Sequence, residues 1–237
     1  MIITEKFVSI EGEGKRAGEV CAFIRVSGCN LRCSYCDTLY SQKPSDGNDE
    51  SVSSIVAWLL NKAVGVRNIT ITGGEPLINP DVVNLVYFLL REGYFINVET
   101  NGSVNVSDFR LCVEDKWFRN NASILFPKDR LMCTVDFKCP SSGMRQKMCR
   151  DNFFYSYTLC ENDVVKVVVG DEVDLDEVLL LRSALNSYIP IYVSPVWGKM
   201  RPVVIVDFLK ANIAALPNTR LQLQLHKIIW DPKERGV

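Results

Sequence analysis

The 237 residues (26.8 kDa) are 47% hydrophobic and 23% charged, the composition of a folded globular chain and not of a disordered, collagenous or coiled-coil one. Lys plus Arg number 27 against 28 Asp plus Glu, a net charge of −1 with no long single-sign run, which excludes a general electrostatic grip on nucleic acid or an anionic membrane. The longest apolar runs, such as Ile55 to Leu60, fall far short of the roughly 18 residues a spanning helix needs, and residues 1–20 carry four Glu and no apolar core of signal-peptide length, so a cytoplasmic protein is expected.

In chain order, Thr4 to Ile10 and Cys21 to Val26 read as short strands around a turn, Glu11-Gly12-Glu13-Gly14. A Cys-rich loop and a polar stretch follow. Then Val52, Ile55, Val56, Leu59, Leu60 and Ala63 mark one face of a helix. The β-branched strand Asn68 to Thr72 runs directly into Gly73-Gly74-Glu75-Pro76, and a second helix is expected with Asn79 as N-cap and Pro80 at the first helical position, stopping at Gly93. Tyr94 to Glu99 is another strand, ending in the turn signal Thr100-Asn101-Gly102. Residues 106–162 read as an irregular insertion holding one strand, Leu131 to Phe137. Regularity returns with the strand Val164 to Val169, a helix Leu175 to Leu185, a strand Ile189 to Val193, a helix Val203 to Ala215 and a last strand, Arg220 to Leu225. Strands alternating with helices over this length predict a single α/β domain, 1–237, folded as an incomplete (β/α)6-type barrel. In such folds ligands gather at the carboxyl ends of the strands, where Cys29 to Cys36, Gly73 to Pro76, Glu99 to Gly102, Lys138 to Gly143, Ser194 to Gly198 and His226 all fall.

Nine cysteines are many, and an odd number, in a chain expected to stay reduced, so the informative ones are metal ligands or nucleophiles. Cys29, Cys33 and Cys36 form C-x3-C-x2-C, three thiols close enough along a loop to meet one metal centre. An all-cysteine zinc site recruiting Cys21 or a distant thiol is one reading, and unliganded thiols another; a single histidine rules out a zinc site of two cysteines and two histidines. The third is an iron–sulfur cluster with three irons held by cysteine and one left open. Cys112, Cys133, Cys139, Cys149 and Cys160, with 20, 5, 9 and 10 residues between them, match no cluster pattern and read as scattered core thiols.

The cysteine motif with Tyr35 before its last member, followed after the next strand by Gly73-Gly74-Glu75-Pro76, resembles the radical S-adenosylmethionine (SAM) superfamily. Residues Phe7 to Gly14, Gly18, Phe23 to Arg25, Gly28 to Thr38, Asp136 to Gly143, Ser194 to Val196 and Gln222 to Lys227 resemble, in that order, the 7-carboxy-7-deazaguanine synthases. The resemblance implies a barrel of the radical SAM kind, a [4Fe-4S] cluster on Cys29, Cys33 and Cys36, SAM, Mg2+, a homodimer and a flavodoxin or ferredoxin as reductant. It also implies a carbon–nitrogen lyase that contracts the ring of 6-carboxy-5,6,7,8-tetrahydropterin to 7-carboxy-7-deazaguanine, with loss of ammonia, on the route to queuosine and other 7-deazapurines.

Carried over residue by residue, the resemblance puts Ile10, Glu11, Gly12, Arg25 and Thr72 against the pterin. It puts Tyr35, Cys36, Asp37, Gly74, Asp136, Phe137, Lys138, Ser194, Pro195, Val196 and Trp197 around SAM, and Thr38 on Mg2+. Chemistry supports some of these roles: Arg25 offers a planar, permanent cation to a carboxylate, and Glu11 or Glu13 can accept from a guanine-like N–H face. Each has a plainer alternative, a structural ion pair for Arg25, a solvated turn for Glu13, a core position against a pocket role for His226, and a turn-capping hydroxyl for Thr38. Glu11 departs from the Gln of many members, and the segment Trp230 to Val237 extends beyond those whose chain terminus touches substrate, so no terminal carboxylate is assigned. Rival functions are a glycyl-radical activase, which needs an open groove for a protein loop, and a zinc- or RNA-binding module, which would need a basic stripe that is missing here.

Overall fold

Val, Ile and Thr fit a pleated, half-buried surface, and the runs rich in them form the strands of one sheet. A computed structural model describes residues 1–121, 124–155 and 158–237. Its strands are β1 (Ile2–Ile10), β2 (Val20–Val26), β3 (Asn48–Asp49), β4 (Asn68–Gly73), β5 (Phe95–Thr100), β6 (Leu131–Lys138), β7 (Val164–Val169), β8 (Ile191–Pro195) and β9 (Thr219–Leu221). They pair in the order β3-β1-β2-β4-β5-β6-β7-β8-β9. β1 is antiparallel to both neighbours, and every pairing from β2 onward is parallel. The edges β3 and β9 do not pair, so the sheet is an open, incomplete barrel. The crossovers carry α1 (Val52–Lys62), α2 (Asp81–Arg91), α3 (Val106–Asn120), the single turn α4 (Asp151–Phe154), α5 (Glu172–Ala184) and α6 (Pro202–Ala211), with α7 (Leu225–Ile229) after β9.

Side chains alternate across a strand, and the central strands use the two faces differently. Ile69 and Ile71 of β4, Ile96 and Val98 of β5, Val135 and Phe137 of β6, and Val165 and Val167 of β7 are buried in the hydrophobic core together with Leu85, Leu89, Val113, Val178 and Leu181 of the helices. The intervening positions are polar: Thr70 and Thr72, Asn97 and Glu99, Thr134 and Asp136, and Lys166. Parallel register sets them side by side, with Glu99 opposite Thr134 and Asp136 opposite Lys166. Their hydrogen bonds join them into one layer, Thr72 Oγ1 to Glu99 Oε2 at 2.7 Å and Thr134 Oγ1 to Asn97 Oδ1 at 3.0 Å. The barrel interior is therefore polar, and the hydrophobic core lies between sheet and helices.

Three expectations shift. The stretch 106–162 is not irregular at its start: α3 runs fifteen residues, capped by Asn105 Oδ1 accepting from Ser107 N at 2.8 Å. Its buried Val106, Phe109, Val113 and Trp117 are a narrow apolar stripe among charged residues, too sparse to stand out as a helix. Residues 122–123 and 156–157 of that stretch lie outside the described residues. Pro80, not Asn79, occupies the N-cap position of α2, although the Asn79 side chain does accept from Asp81 N at 3.0 Å. The last strand keeps only Thr219–Leu221, and His226 sits on a short helix, not at a strand end.

Candidate functional site

The cysteine loop leaves β2 and is folded back by main-chain bonds, Gly28 N to Ser41 O at 2.8 Å and Cys29 N to Gln42 O at 3.0 Å. The Gly73–Gly74 turn at the end of β4 closes on it. A Cβ on Gly74 would stand 2.1 Å from the Gly28 carbonyl oxygen, so only glycine permits this approach. Glu75 does not face the loop's ligand side; its buried carboxylate accepts from Leu77 N, Thr100 Oγ1 and Asn101 N at 2.9, 2.7 and 2.6 Å. It thus ties the end of β4 to the end of β5, and burial pushes its carboxyl up to about 7. Asn101 completes the brace with Nδ2 at 3.7 Å from Cys29 Sγ and 3.0 Å from Asn30 Oδ1.

Cys29, Cys33 and Cys36 are half-buried free thiols on one wall of a cavity of about 820 Å³ at the carboxyl ends of the strands. Burial raises the Cys33 thiol, Lys138 opposes the rise, and Cys36 and Cys29 add to it. Among the described residues no three His, Cys, Asp or Glu side chains converge on a point that one ion could fill, and Cys21 is buried in β2 with its Sγ 3.1 Å from Thr70 Oγ1. That placement removes Cys21 as a fourth zinc ligand. A cubane spreads its irons, so three thiols sharing a wall without converging on a point fit a cluster with one open iron. Cys112 and Cys160 are exposed, Cys133 and Cys139 buried and Cys149 half-buried, and no second metal cluster is found among the described residues.

Beside the cysteines the wall is held by ion pairs. Lys138 Nζ lies 2.5 Å from Asp136 Oδ2, and Lys166 Nζ bridges Asp136 Oδ1 at 3.2 Å and Glu13 Oε2 at 3.1 Å. Burial alone would raise the Asp136 carboxyl, but the two lysines outweigh it and hold it below the usual range. Tyr35 donates to Val168 O at 3.3 Å, and Lys227 Nζ lies 2.6 Å from Asp37 Oδ2. Thr38 donates to Asp37 Oδ1 at 3.0 Å and makes no side-chain bond to the turn that follows it, which removes the turn-capping alternative.

The opposite end of the cavity is built on the Glu11–Gly14 turn. Gln222 clamps it, accepting from Gly14 N at 2.8 Å and donating to Gly14 O at 2.9 Å, while Leu225 N donates to Gly12 O at 3.1 Å. Gly12 has no room for a side chain because a Cβ would come within 2.2 Å of His226 Nδ1. His226 is only half-buried and lines the cavity, so it is not a core residue, and burial lowers its basicity and favours the neutral ring. Glu11 is buried and accepts a short hydrogen bond from Thr70. Desolvation first, then Glu99 and Glu13, push its carboxyl up to about 8 against that bond. Glu13 is 8% exposed and is no solvated turn residue; its Oε1 has no hydrogen-bond partner among the described residues. Arg25 lines the same space, with its Nε 2.7 Å from Glu5 Oε1, so the ion-pair reading holds for that nitrogen.

The other nominated residues Ile10, Gly12, Thr72, Tyr35, Asp37, Thr38, Gly74, Asp136, Lys138, Val196 and Trp197 also line this cavity. Phe137, Ser194 and Pro195 do not. Phe137 packs edge-on against Phe153 in the core, 4.9 Å between ring centres, and Ser194 is fully buried with an Oγ that has no partner among the described residues. Sequence reasoning put Glu99 on the rim without a role, left the segment Asp231–Val237 unassigned and missed Lys166 and Tyr40, all of which line the cavity. A lysine inside Val164–Val169 was the available signal for one of them; the end segment carries no periodicity that announces its position.

Residues 23–118 match the family described as the Radical SAM superfamily. The chain is 38% identical to the 7-carboxy-7-deazaguanine synthase of Clostridium acetobutylicum, covering 99% of this chain and 98% of that one. It is 37% identical to the 7-carboxy-7-deazaguanine synthase of Methanospirillum hungatei, covering 98% and 86%. The crystal structure of QueE from Escherichia coli shares the fold, with a TM-score of 0.64 at 22% identity over 95% of this chain and 94% of that one.

Proposed function

The chain belongs to the 7-carboxy-7-deazaguanine synthase family of the radical SAM superfamily, and from that premise we propose how its cavity serves the reaction. The reaction converts 6-carboxy-5,6,7,8-tetrahydropterin into 7-carboxy-7-deazaguanine with loss of ammonia, within 7-deazapurine biosynthesis. Its cofactors are a [4Fe-4S] cluster and SAM. Bound at the cysteine loop, they supply a hydrogen-abstracting adenosyl radical.

The observation that carries the reading is that the three thiols and the Glu11, Glu13, Arg25 and His226 wall open on one cavity. Its volume, about 820 Å³, is near the top of the ~300–1,000 Å³ range of ligand pockets and suits a cofactor and a substrate together. Cys29, Cys33 and Cys36 hold the cluster. Tyr35, Asp37, Gly74, Asp136, Lys138, Val196 and Trp197 surround SAM, with Phe137, Ser194 and Pro195 acting from behind the wall. The reduced pterin presents N–H donors, and the vacant Glu13 Oε1 is a buried acceptor for one of them. Glu11, kept neutral, can both donate and accept as the glutamine of other members does, and Ile10, Gly12, Thr72 and His226 shape the rest of that end. The Arg25 guanidinium faces the substrate carboxylate with the nitrogens that Glu5 does not take. Thr38, an oxygen donor beside Asp37, suits Mg2+, a hard ion that keeps waters and takes further oxygens from its substrate.

We assign the protein to the carbon–nitrogen lyases, as one domain acting as a homodimer in the cytoplasm and reduced by flavodoxin or ferredoxin. Among the described residues no helix is long and apolar enough to cross a membrane. The test is anaerobic turnover of the reconstituted enzyme with 6-carboxytetrahydropterin, SAM and reductant. Ammonia and 7-carboxy-7-deazaguanine should form together; SAM cleavage without either product would sink the reading and revive a glycyl-radical activase.

A further inference from the structure

The cations on the cavity wall fall into two groups. Lys138, Lys166, Lys227 and Arg25 are each held by a carboxylate, Asp136, Asp136 with Glu13, Asp37 and Glu5 respectively. Lys199, Lys233 and Arg235 make no ion pair among the described residues, and of these only Arg235, an exposed residue, rests on an aromatic ring. Its guanidinium carbon lies 3.6 Å from the centre of the Tyr40 ring. The Tyr40 hydroxyl donates to Glu5 Oε1 at 3.0 Å, the oxygen that also receives Arg25 Nε, and the Arg25 guanidinium carbon is 5.9 Å from the same ring centre. The end segment turns at Pro232 and Lys233, where Glu234 N donates to Asp231 O at 2.9 Å, and Gly236, at φ +72°, lies close to Phe7. A stacked guanidinium uses its face on the ring and keeps its N–H groups in the plane, directed outward. Arg235 thus carries an unused, correctly shaped fork for an anion beside a second arginine whose Nε is already engaged.

We propose that Arg235, docked on Tyr40 by the end segment, is a specificity residue that recognises the carboxylate of the substrate together with Arg25. The proposal rests on the pterin reading above and adds the group that distinguishes a 6-carboxy substrate from a neutral pterin. Removing one charge-assisted contact at a partly solvated site costs about tenfold in affinity.

The test compares 6-carboxypterin with 6-hydroxymethylpterin, stable probes that differ only at the recognised substituent, by calorimetric titration of the SAM-loaded holoenzyme. The unaltered enzyme should favour the carboxylate. Arg235→Ala should weaken 6-carboxypterin about tenfold while leaving 6-hydroxymethylpterin within twofold, and Arg235→Lys should restore only part, since an ammonium presents no planar fork. Arg235→Gln, which keeps a planar polar group without charge, repeats the test should the alanine variant lose iron. Equal weakening of both pterins would make Arg235 a wall residue only, and unchanged affinity for both would remove it from recognition; either overturns the proposal. An unaltered enzyme that binds neither pterin would overturn the pterin reading itself, a result distinct from the other two.

Discussion

Glu11 shows how one buried side chain can carry a departure from its relatives. Its carboxyl lies beside Glu99 and Glu13 with Thr70 as hydrogen-bond donor, and it stays protonated into the neutral range, so it has the size and the mixed donor and acceptor character of glutamine. Glu11→Gln should therefore retain most turnover. The same shift sets a pH dependence. The folded state keeps a proton that the unfolded chain releases near the ordinary value of 4.5, so stability falls as pH rises from there toward 8 and levels off above. Glu75 and Glu99 act in the same direction. Replacing Glu11 by Gln should make the decline shallower by up to about 1.4 kcal/mol per pH unit, read from urea unfolding between pH 5.5 and 7.5; an unchanged slope would place the proton elsewhere. Thr38 gives a second residue-level expectation. Its hydroxyl bonds only to Asp37 among the described residues, so Thr38→Ala should keep cluster and SAM binding while turnover falls sharply and loses its response to added Mg2+. Mg2+-stimulated turnover in that variant would take the metal away from Thr38.

At the scale of elements, α3 is the main structural addition to the sequence reading, and its N-cap is a single side chain. Asn105→Ala should cost about 1 kcal/mol in thermal or denaturant unfolding, with iron content unchanged, because the bonds to Ser107 N and Asp108 N are lost and none of these residues lines the cavity. The reasons for success and failure at this scale are physical. β4 and β7 were legible because β-branched residues crowd them, β6 because it is a short apolar run, and a glycine turn or a polar break ends each one. α3 was not, since its apolar stripe covers only one narrow face of a charged helix whose partner surface becomes visible only on folding. The site divides the same way. Cys29, Cys33, Cys36, Glu11, Glu13 and Gly74 lie in short contiguous motifs whose chemistry can be read locally. Lys166 enters the site through parallel register across the sheet and Arg235 through the path of the end segment, neither of which has a local signature, while Glu99 was placed on the rim without a role. Glu75 was read with the ligand-facing glycines and proves to be a brace between two strand ends.

For the whole molecule, a cavity that gathers motifs from both ends of the chain but not the outlying cysteines implies that cluster loading depends on the cysteine loop alone. Cys29→Ala should lose the iron and the brown absorption, whereas Cys112→Ala, on the exposed face of α3, should keep both; iron loss in the second would revive a role for the outlying cysteines. The alternation along β4 to β7 reaches further than this enzyme's active site. Ile69, Ile71, Ile96, Val98, Val135, Phe137, Val165 and Val167 pack in the core with the helices, and of the residues between or beside them Thr72, Glu99, Asp136 and Lys166 line the cavity. A saturation library read along these strands should therefore separate at their carboxyl ends: poor accumulation of the protein at the core positions, and accumulation of an inactive protein at Thr72 and Glu99, which face the cavity. Selecting such a library for soluble yield alone would hold the core positions and leave the cavity-facing strand ends to vary first, which makes those ends the natural place to look for new substrates on an unchanged scaffold.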